Sequence, residues 1–155
     1  MTCLDDSPAV ALDVARGATR LFARQKLYMI CEVPLPNGRR ADLMGIDPKG
    51  RIVIAEIKVA KADLTGDGKW RDYLDYCDRF YWAVTPDLAS ICDGEAYLPG
   101  LAGLLVADRY DAAMVREAKE DPLSPARRKA ESARFARRAA MRLAAELDPS
   151  LGDHY

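Results

Sequence analysis

Two short loops of one design constrain this chain more than any other stretch. Pro36-Asn37-Gly38 and Pro48-Lys49-Gly50 each separate segments rich in Val, Ile and Leu. Proline fits the first turn position with its fixed φ, and the glycine two places on suits a left-handed residue. Together they specify a hairpin with a three-residue loop. Leu35 then faces Arg39, and Asp47 faces Arg51. The flanking segments Leu27–Leu35, Arg39–Ile46 and Arg51–Val59 read as three consecutive antiparallel strands.

Counting outward from the turns sets every cross-strand pair. Glu32 falls opposite Asp42, and Asp42 falls opposite Glu56, so three carboxylates line up across three neighbouring strands. Lys58 lies two residues past Glu56 on the same side. The opposite side reads Cys31, Val33, Leu35, Ala41, Leu43, Val53, Ala55 and Ile57, an apolar core face. Ile30, Met44 and Ile54 make the acidic side apolar as well, one pair further along, so helices are expected over both faces. Adjacent strands are only about 4.8 Å apart, and ionised carboxylates at that spacing repel. A hard divalent cation with oxygen ligands relieves the repulsion, with Lys58 adding positive charge. A Glu–Lys and Arg–Asp ion-pair network without metal is the alternative.

The rest of the chain reads more simply. Ser7-Pro8 is a helix start, with Ser7 as N-cap. Val10, Val14, Ala18, Leu21 and Phe22 carry the helical spacing to about Gln25. A polar connector over 61–69 precedes a helix from about Lys69 to Phe80, then a strand Tyr81–Thr85 that stops at Pro86. Gly103–Ala107 is a fifth strand. A long Ala/Arg-rich helix runs from about Ser124 to Leu147, with Ala126, Ala130, Ala133, Ala136, Ala140 and Leu143 as the stripe expected to dock and the arginines outside. Trp70, Tyr73, Leu74, Cys77, Phe80 and Tyr81 keep helical spacing, which core packing explains best; stacking on unpaired bases is the alternative. Lys69 and Asp78 read as surface residues. The order α-β-β-β-α-β gives an α/β fold with a mixed sheet, and a chain of 155 residues is expected to form one domain, its core over about 8–110 and its last helix over 124–147.

Composition removes whole reaction classes. His154 is the only histidine, so Ser-His and Cys-His catalysis and His-rich zinc sites have no imidazole in reach. Cys3, Cys31, Cys77 and Cys92 are scattered without metal-ligand spacing and read as reduced thiols of a cytoplasmic protein. The acidic first residues, with no long apolar run after them, predict neither a secretory leader nor a membrane span. Charge is uneven: residues 42–121 hold 16 acids against 10 bases, whereas 124–145 hold seven bases against Glu131 alone. Arg16, Arg20, Arg24 and Lys26 add to this at the first helix, against Asp13. Basic helices beside an acidic centre suit a polyanion partner. The basic helix would bind phosphates without sequence preference, or pair with the acidic centre of a second subunit in a homodimer.

An Asp within one strand, a turn, then Glu-x-Lys on the next resembles the core of the PD-(D/E)XK phosphodiesterase superfamily; here it is Asp42, then Glu56-Ile57-Lys58. The longer set Glu32-Val33-Pro34-Leu35, Gly38-Arg39-Arg40-Ala41-Asp42, Glu56-Ile57-Lys58 and Lys69-Trp70-x-x-Tyr73-x-x-Tyr76-Cys77-Asp78 is similar to the MmcB family of bacterial DNA-repair proteins. The similarity spans roughly residues 8–145 and implies a restriction-endonuclease-like fold. It implies Mg²⁺ or Mn²⁺ on Asp42 and Glu56, Lys58 at the attacking water or the charged transition state, and Glu32 as a further ligand or base. Arg39, Arg40 and Lys69 would meet the DNA backbone. The implied function is a metal-dependent DNA endonuclease working with other repair proteins, or else a non-catalytic DNA-binding adaptor on the same fold. Ala41 stands where the superfamily name has Pro, and the first helix offers Asp13 where many members place Glu.

Overall fold

The computed structural model describes residues 9–61 and 69–154. Six strands form one mixed sheet in chain order: β1 (Tyr28–Pro34), β2 (Arg40–Ile46), β3 (Ile52–Lys58), β4 (Arg79–Val84), β5 (Gly103–Ala107) and β6 (Ala112–Arg116). The first three strands are mutually antiparallel, β4 and β5 run parallel to β3, and β6 turns back against β5. Helix α1 (Ala9–Arg24) covers one face, burying Val14, Ala18, Leu21 and Phe22 against Leu43, Val53, Ala55 and Tyr81. On the other face Met44, Ile54, Trp82 and Val84 lie under Trp70, Tyr73 and Cys77, with Phe135 of helix α2 (Pro125–Leu147) packed on the same cluster. The cap expected at Ser7-Pro8 and most of the 61–69 connector lie outside the described residues. Among the described residues no helix is long and apolar enough to cross a membrane.

Both hairpin loops form as their residues dictate. Leu35 N–H donates to Arg39 O at 2.8 Å and Asp47 N–H to Arg51 O at 2.9 Å. Gly38 and Gly50 take φ of 84° and 81°, a region in which a side chain would be strained. The resulting registers, Cys31 with Leu43 and Val33 with Ala41, then Leu43 with Ala55 and Met44 with Ile54, are those the turns require.

The faces, however, do not alternate throughout. Val33, Leu35 and Ala41 pack with Met44 and Trp82, opposite the side occupied by Cys31, Leu43 and Val53. Glu32 is the cause. Its φ of 52° is left-handed, and one such residue rotates the strand so that the next side chain lands on the other face. Arg142 of α2 clasps the bend, its guanidinium donating to the carbonyls of Cys31 and Glu32, the latter at 2.7 Å.

Four further expectations change. The helix from Lys69 is a 3₁₀ segment ending at Tyr76, and β4 begins at Arg79, so Phe80 and Tyr81 are strand neighbours on opposite faces. Phe80 stacks with Trp70 at 5.5 Å, while Tyr81 meets Phe22 edge-on at 5.4 Å; this is the core role expected of the aromatic set. Residues Ala126, Ala130, Ala133, Ala136, Ala140 and Leu143 of α2 are all exposed. The helix docks instead through Arg128, Glu131, Phe135 and Arg142, an equally helical spacing whose long side chains reach partners that alanine methyls cannot. Cys77 and Cys92 are free thiols, as expected, but Cys31 is disulfide-bonded.

Asp78 is likewise buried, at 1% exposure, and not on the surface. Its carboxylate accepts from Ile52 N at 2.7 Å, from Leu123 N at 2.9 Å and from the Arg128 guanidinium, joining β3, the lead-in to α2 and α2 itself. Burial alone would raise its pKa; the donors outweigh burial and hold it below 3.8. Such a group stabilises the fold above the unfolded carboxylate value, and that stability is lost as pH falls through the lower folded value. Asp78→Ala leaves Arg128 and two amides unpaired, and urea titration at pH 7 should show a loss of about 3–5 kcal/mol. Wild type should also lose more stability than Asp78→Asn between pH 5 and pH 2, a difference read from paired denaturation curves.

Candidate functional site

The ladder between β2 and β3 runs from Ile46 with Ile52 to Leu43 with Ala55. One step further, where Asp42 meets Glu56, side chains take over from the backbone. Asp42 N–H donates to Glu56 Oε1 at 3.0 Å, and Ile57 N–H donates to Asp42 Oδ2 at 2.8 Å. Each carboxylate thus occupies the partner strand's hydrogen-bonding position. On its other side β3 pairs fully with β4, Glu56 beside Trp82 and Lys58 beside Val84, so this is a central strand.

Burial dominates the electrostatics. Glu56 is 4% exposed, and desolvation followed by the charge of Asp42 pushes its pKa well above 4.5. Asp42 is raised by its own burial, against the Ile57 amide, the Glu56 hydrogen bond and the charges of Lys58 and Arg40. The two therefore titrate as a pair, each resisting ionisation while the other is charged. Lys58 acts on both carboxyls as the nearby positive charge.

The remaining expected site residues distribute around this pair. Glu32 does not join it; its carboxylate turns to Arg40, 3.9 Å away. Among the described residues, no group of three or more His, Cys, Asp or Glu side chains is gathered as a metal site. Arg40 is exposed, and its carbonyl accepts from the Tyr73 hydroxyl at 3.1 Å, which fixes the start of β2. Arg39 pairs with Asp72 at 3.1 Å. Lys69 opens the 3₁₀ segment, and its side chain lies outside the described residues. Sequence reasoning missed Arg142, which holds the bend beside Asp42. The spacing of residues 128, 131, 135 and 142 was the available signal for it, hidden behind the alanine stripe.

The model of the MmcB-like DNA repair protein family matches residues 4–150. The chain belongs to that family. Among solved structures, a protein of unknown function from Silicibacter pomeroyi is 41% identical over 93% of this MmcB-like chain and 95% of its own, with a TM-score of 0.81. A repair endonuclease from Pyrococcus abyssi is similar over 61% of this chain and 46% of its own, at 21% identity and a TM-score of 0.39. No curated protein matches the chain.

The MmcB-like carboxyl pair has a measurable signature. A carboxyl raised in the folded state contributes stability below its unfolded value and withdraws it as pH rises through the folded one. Glu56→Gln keeps an oxygen for the Asp42 amide and removes the ionisation cost. It should melt higher than wild type at pH 8, by about 2–4 °C for each kcal/mol relieved in a chain this size, with the gap closing toward pH 4. Equal melting temperatures across that range would show that the pair carries no such cost.

Proposed function

We propose that this MmcB-like protein is a metal-dependent phosphodiesterase that cleaves DNA during repair, with Mg²⁺ or Mn²⁺ held by Asp42 and Glu56. The observation that carries the reading is the buried carboxyl pair, with Lys58 acting on both members. Two desolvated carboxylates on adjacent strands are costly when both ionise, and they offer the hard oxygen donors that such cations select. The donor set therefore fits the group. When bound, the ion would activate a water and screen the scissile phosphate.

The protein's own residues would divide the remaining work. Asp42 and Glu56 would hold the cation through their carboxylate oxygens, which must be ionised to do so. Lys58 holds a fixed positive charge at the reacting phosphate, where developing negative charge is greatest. Arg40 is exposed at the start of β2 and would take a neighbouring backbone phosphate, as Lys69 would from the 3₁₀ segment. Arg39 would do so by exchanging Asp72 for a phosphate oxygen. Glu32 would enter the site as a further ligand or base by releasing Arg40. The spacing of Asp42 and the Glu56-Ile57-Lys58 strand, which resembles the PD-(D/E)XK pattern, agrees with this assignment, in a cytoplasmic protein acting beside other repair factors.

One observation favours a second reading. Glu32 is spent on Arg40 and not on the pair, which suits a DNA-binding adaptor that keeps the fold without turnover. Calorimetry with Mn²⁺ and nicking assays on several DNA structures separate the two. Under the nuclease reading, Asp42→Ala and Glu56→Ala lose the metal isotherm, and Lys58→Ala keeps metal but loses at least a hundredfold in nicking, the scale of one removed charge-stabilising group. DNA binding indifferent to metal and to Glu56→Ala, with no nicking by wild type, establishes the adaptor.

A further inference from the structure

The C-terminal helix and the edge of the sheet enclose a groove of about 730 Å³ lined by Pro34, Arg134, Arg137, Arg138, Ala140 and Met141. Its charge is not balanced. Arg134 is paired with Glu131, whereas Arg137 and Arg138 have no carboxylate within ion-pair distance among the described residues. Arg138 in turn bears on Arg142, whose pKa is lowered by burial and by that neighbouring positive charge. Cations packed this closely repel one another, and a polyanion lying among them removes the repulsion.

The groove also points somewhere. Pro34 pairs directly with Arg40 in the β1–β2 ladder, and Arg40 stands two residues before Asp42 on β2. At about 3.4 Å per residue, the end of the groove is therefore under 10 Å along the strand from the carboxyl pair. Its floor of Pro34, Ala140 and Met141 is apolar, while its wall is guanidinium. That combination takes sugar and base on one side and phosphate on the other. A duplex keeps its base faces stacked inside, whereas one unpaired strand can lay base faces and phosphates together into a concave channel.

We infer that this groove is a binding site for single-stranded DNA, with Arg137 and Arg138 on its phosphates, and that it leads an unpaired segment past Arg40 to Asp42 and Glu56. The inference rests on the reading that the protein acts on DNA, but its binding step needs neither metal nor cleavage.

Fluorescence anisotropy with a labelled single-stranded oligonucleotide and its duplex, in EDTA, tests it. Wild type should bind the single strand more tightly than the duplex. Arg137→Ala/Arg138→Ala should weaken single-strand binding about tenfold at 50 mM salt and flatten the slope of log K against log salt by about 1.4, at roughly 0.7 per phosphate. Arg137→Lys/Arg138→Lys should retain most of the slope, and Arg16→Ala/Arg20→Ala on α1 should bind as wild type does. Melting curves establish that the variants are folded. Duplex bound as tightly as the single strand, or a double-alanine variant with wild-type affinity and slope, overturns the groove assignment. Nicking by wild type in that case leaves the phosphodiesterase standing, while groove-dependent binding without nicking removes the phosphodiesterase and leaves the groove.

Discussion

Asp42 and Glu56 each place a carboxylate where the neighbouring strand's backbone would have placed a carbonyl. The exchange satisfies the amides of Asp42 and Ile57, so no buried donor is lost where the β2–β3 ladder stops. It also draws two acids to the middle of the sheet, beside a strand whose other edge is fully paired. An ordinary ladder at this step would cost less. Burial raises both carboxyls, so the arrangement is least stable as two bare carboxylates.

The bend at Glu32 belongs to the same design. A left-handed residue in the middle of β1 carries a conformational cost of order 1 kcal/mol. Arg142 donates to the carbonyls of both Cys31 and Glu32 at that point. The change of face puts Val33 and Leu35 under the aromatic layer of Trp70 and Tyr73, beside Ala41 of β2, so the strain is offset by apolar burial on the side that carries Glu56 and Lys58. Helix α2 is thus held to the sheet by charge: Arg128 at Asp78 toward one end, Arg142 at the bend toward the other, and Phe135 as the apolar contact between them.

What the sequence made legible followed from turn chemistry. Proline and glycine at fixed offsets set two loop geometries, and those loops set the register that brings Asp42 to Glu56, a local inference over fewer than twenty residues. The misread features depend on distant partners. Nothing near Glu32 in sequence announces a left-handed residue, because the group that sustains it lies 110 positions away. Asp78 looked like surface for the same reason, with donors from Ile52, Leu123 and Arg128. Strand β6 escaped notice because Ala112–Arg116 is short, half-exposed and without a period-two apolar pattern. In α2 two stripes had equal claim to the sheet, and an apolar stripe of alanines is weak evidence when arginine stems can bury as much surface.

The seven bases of α2 show why a charge count alone cannot locate a binding surface. Arg128 is committed to a buried aspartate, Arg142 to backbone carbonyls, and Arg134 to Glu131, while Arg127 lies over the Tyr76 ring at 4.8 Å. Each of these guanidiniums has its charge or its donors answered inside the protein, and neutralising it would loosen the helix before it weakened any ligand. Arg137 and Arg138 differ in having a groove in front of them and no carboxylate within ion-pair distance among the described residues. Helices of this composition are usually assigned to nucleic acid as a whole. Here the composition performs two separable jobs, clasping the strand that shapes the carboxyl pair and presenting cations to the space beside it. Because one rigid helix performs both, the distance between the groove and the carboxyl pair is set by the docking of Arg128 and Arg142.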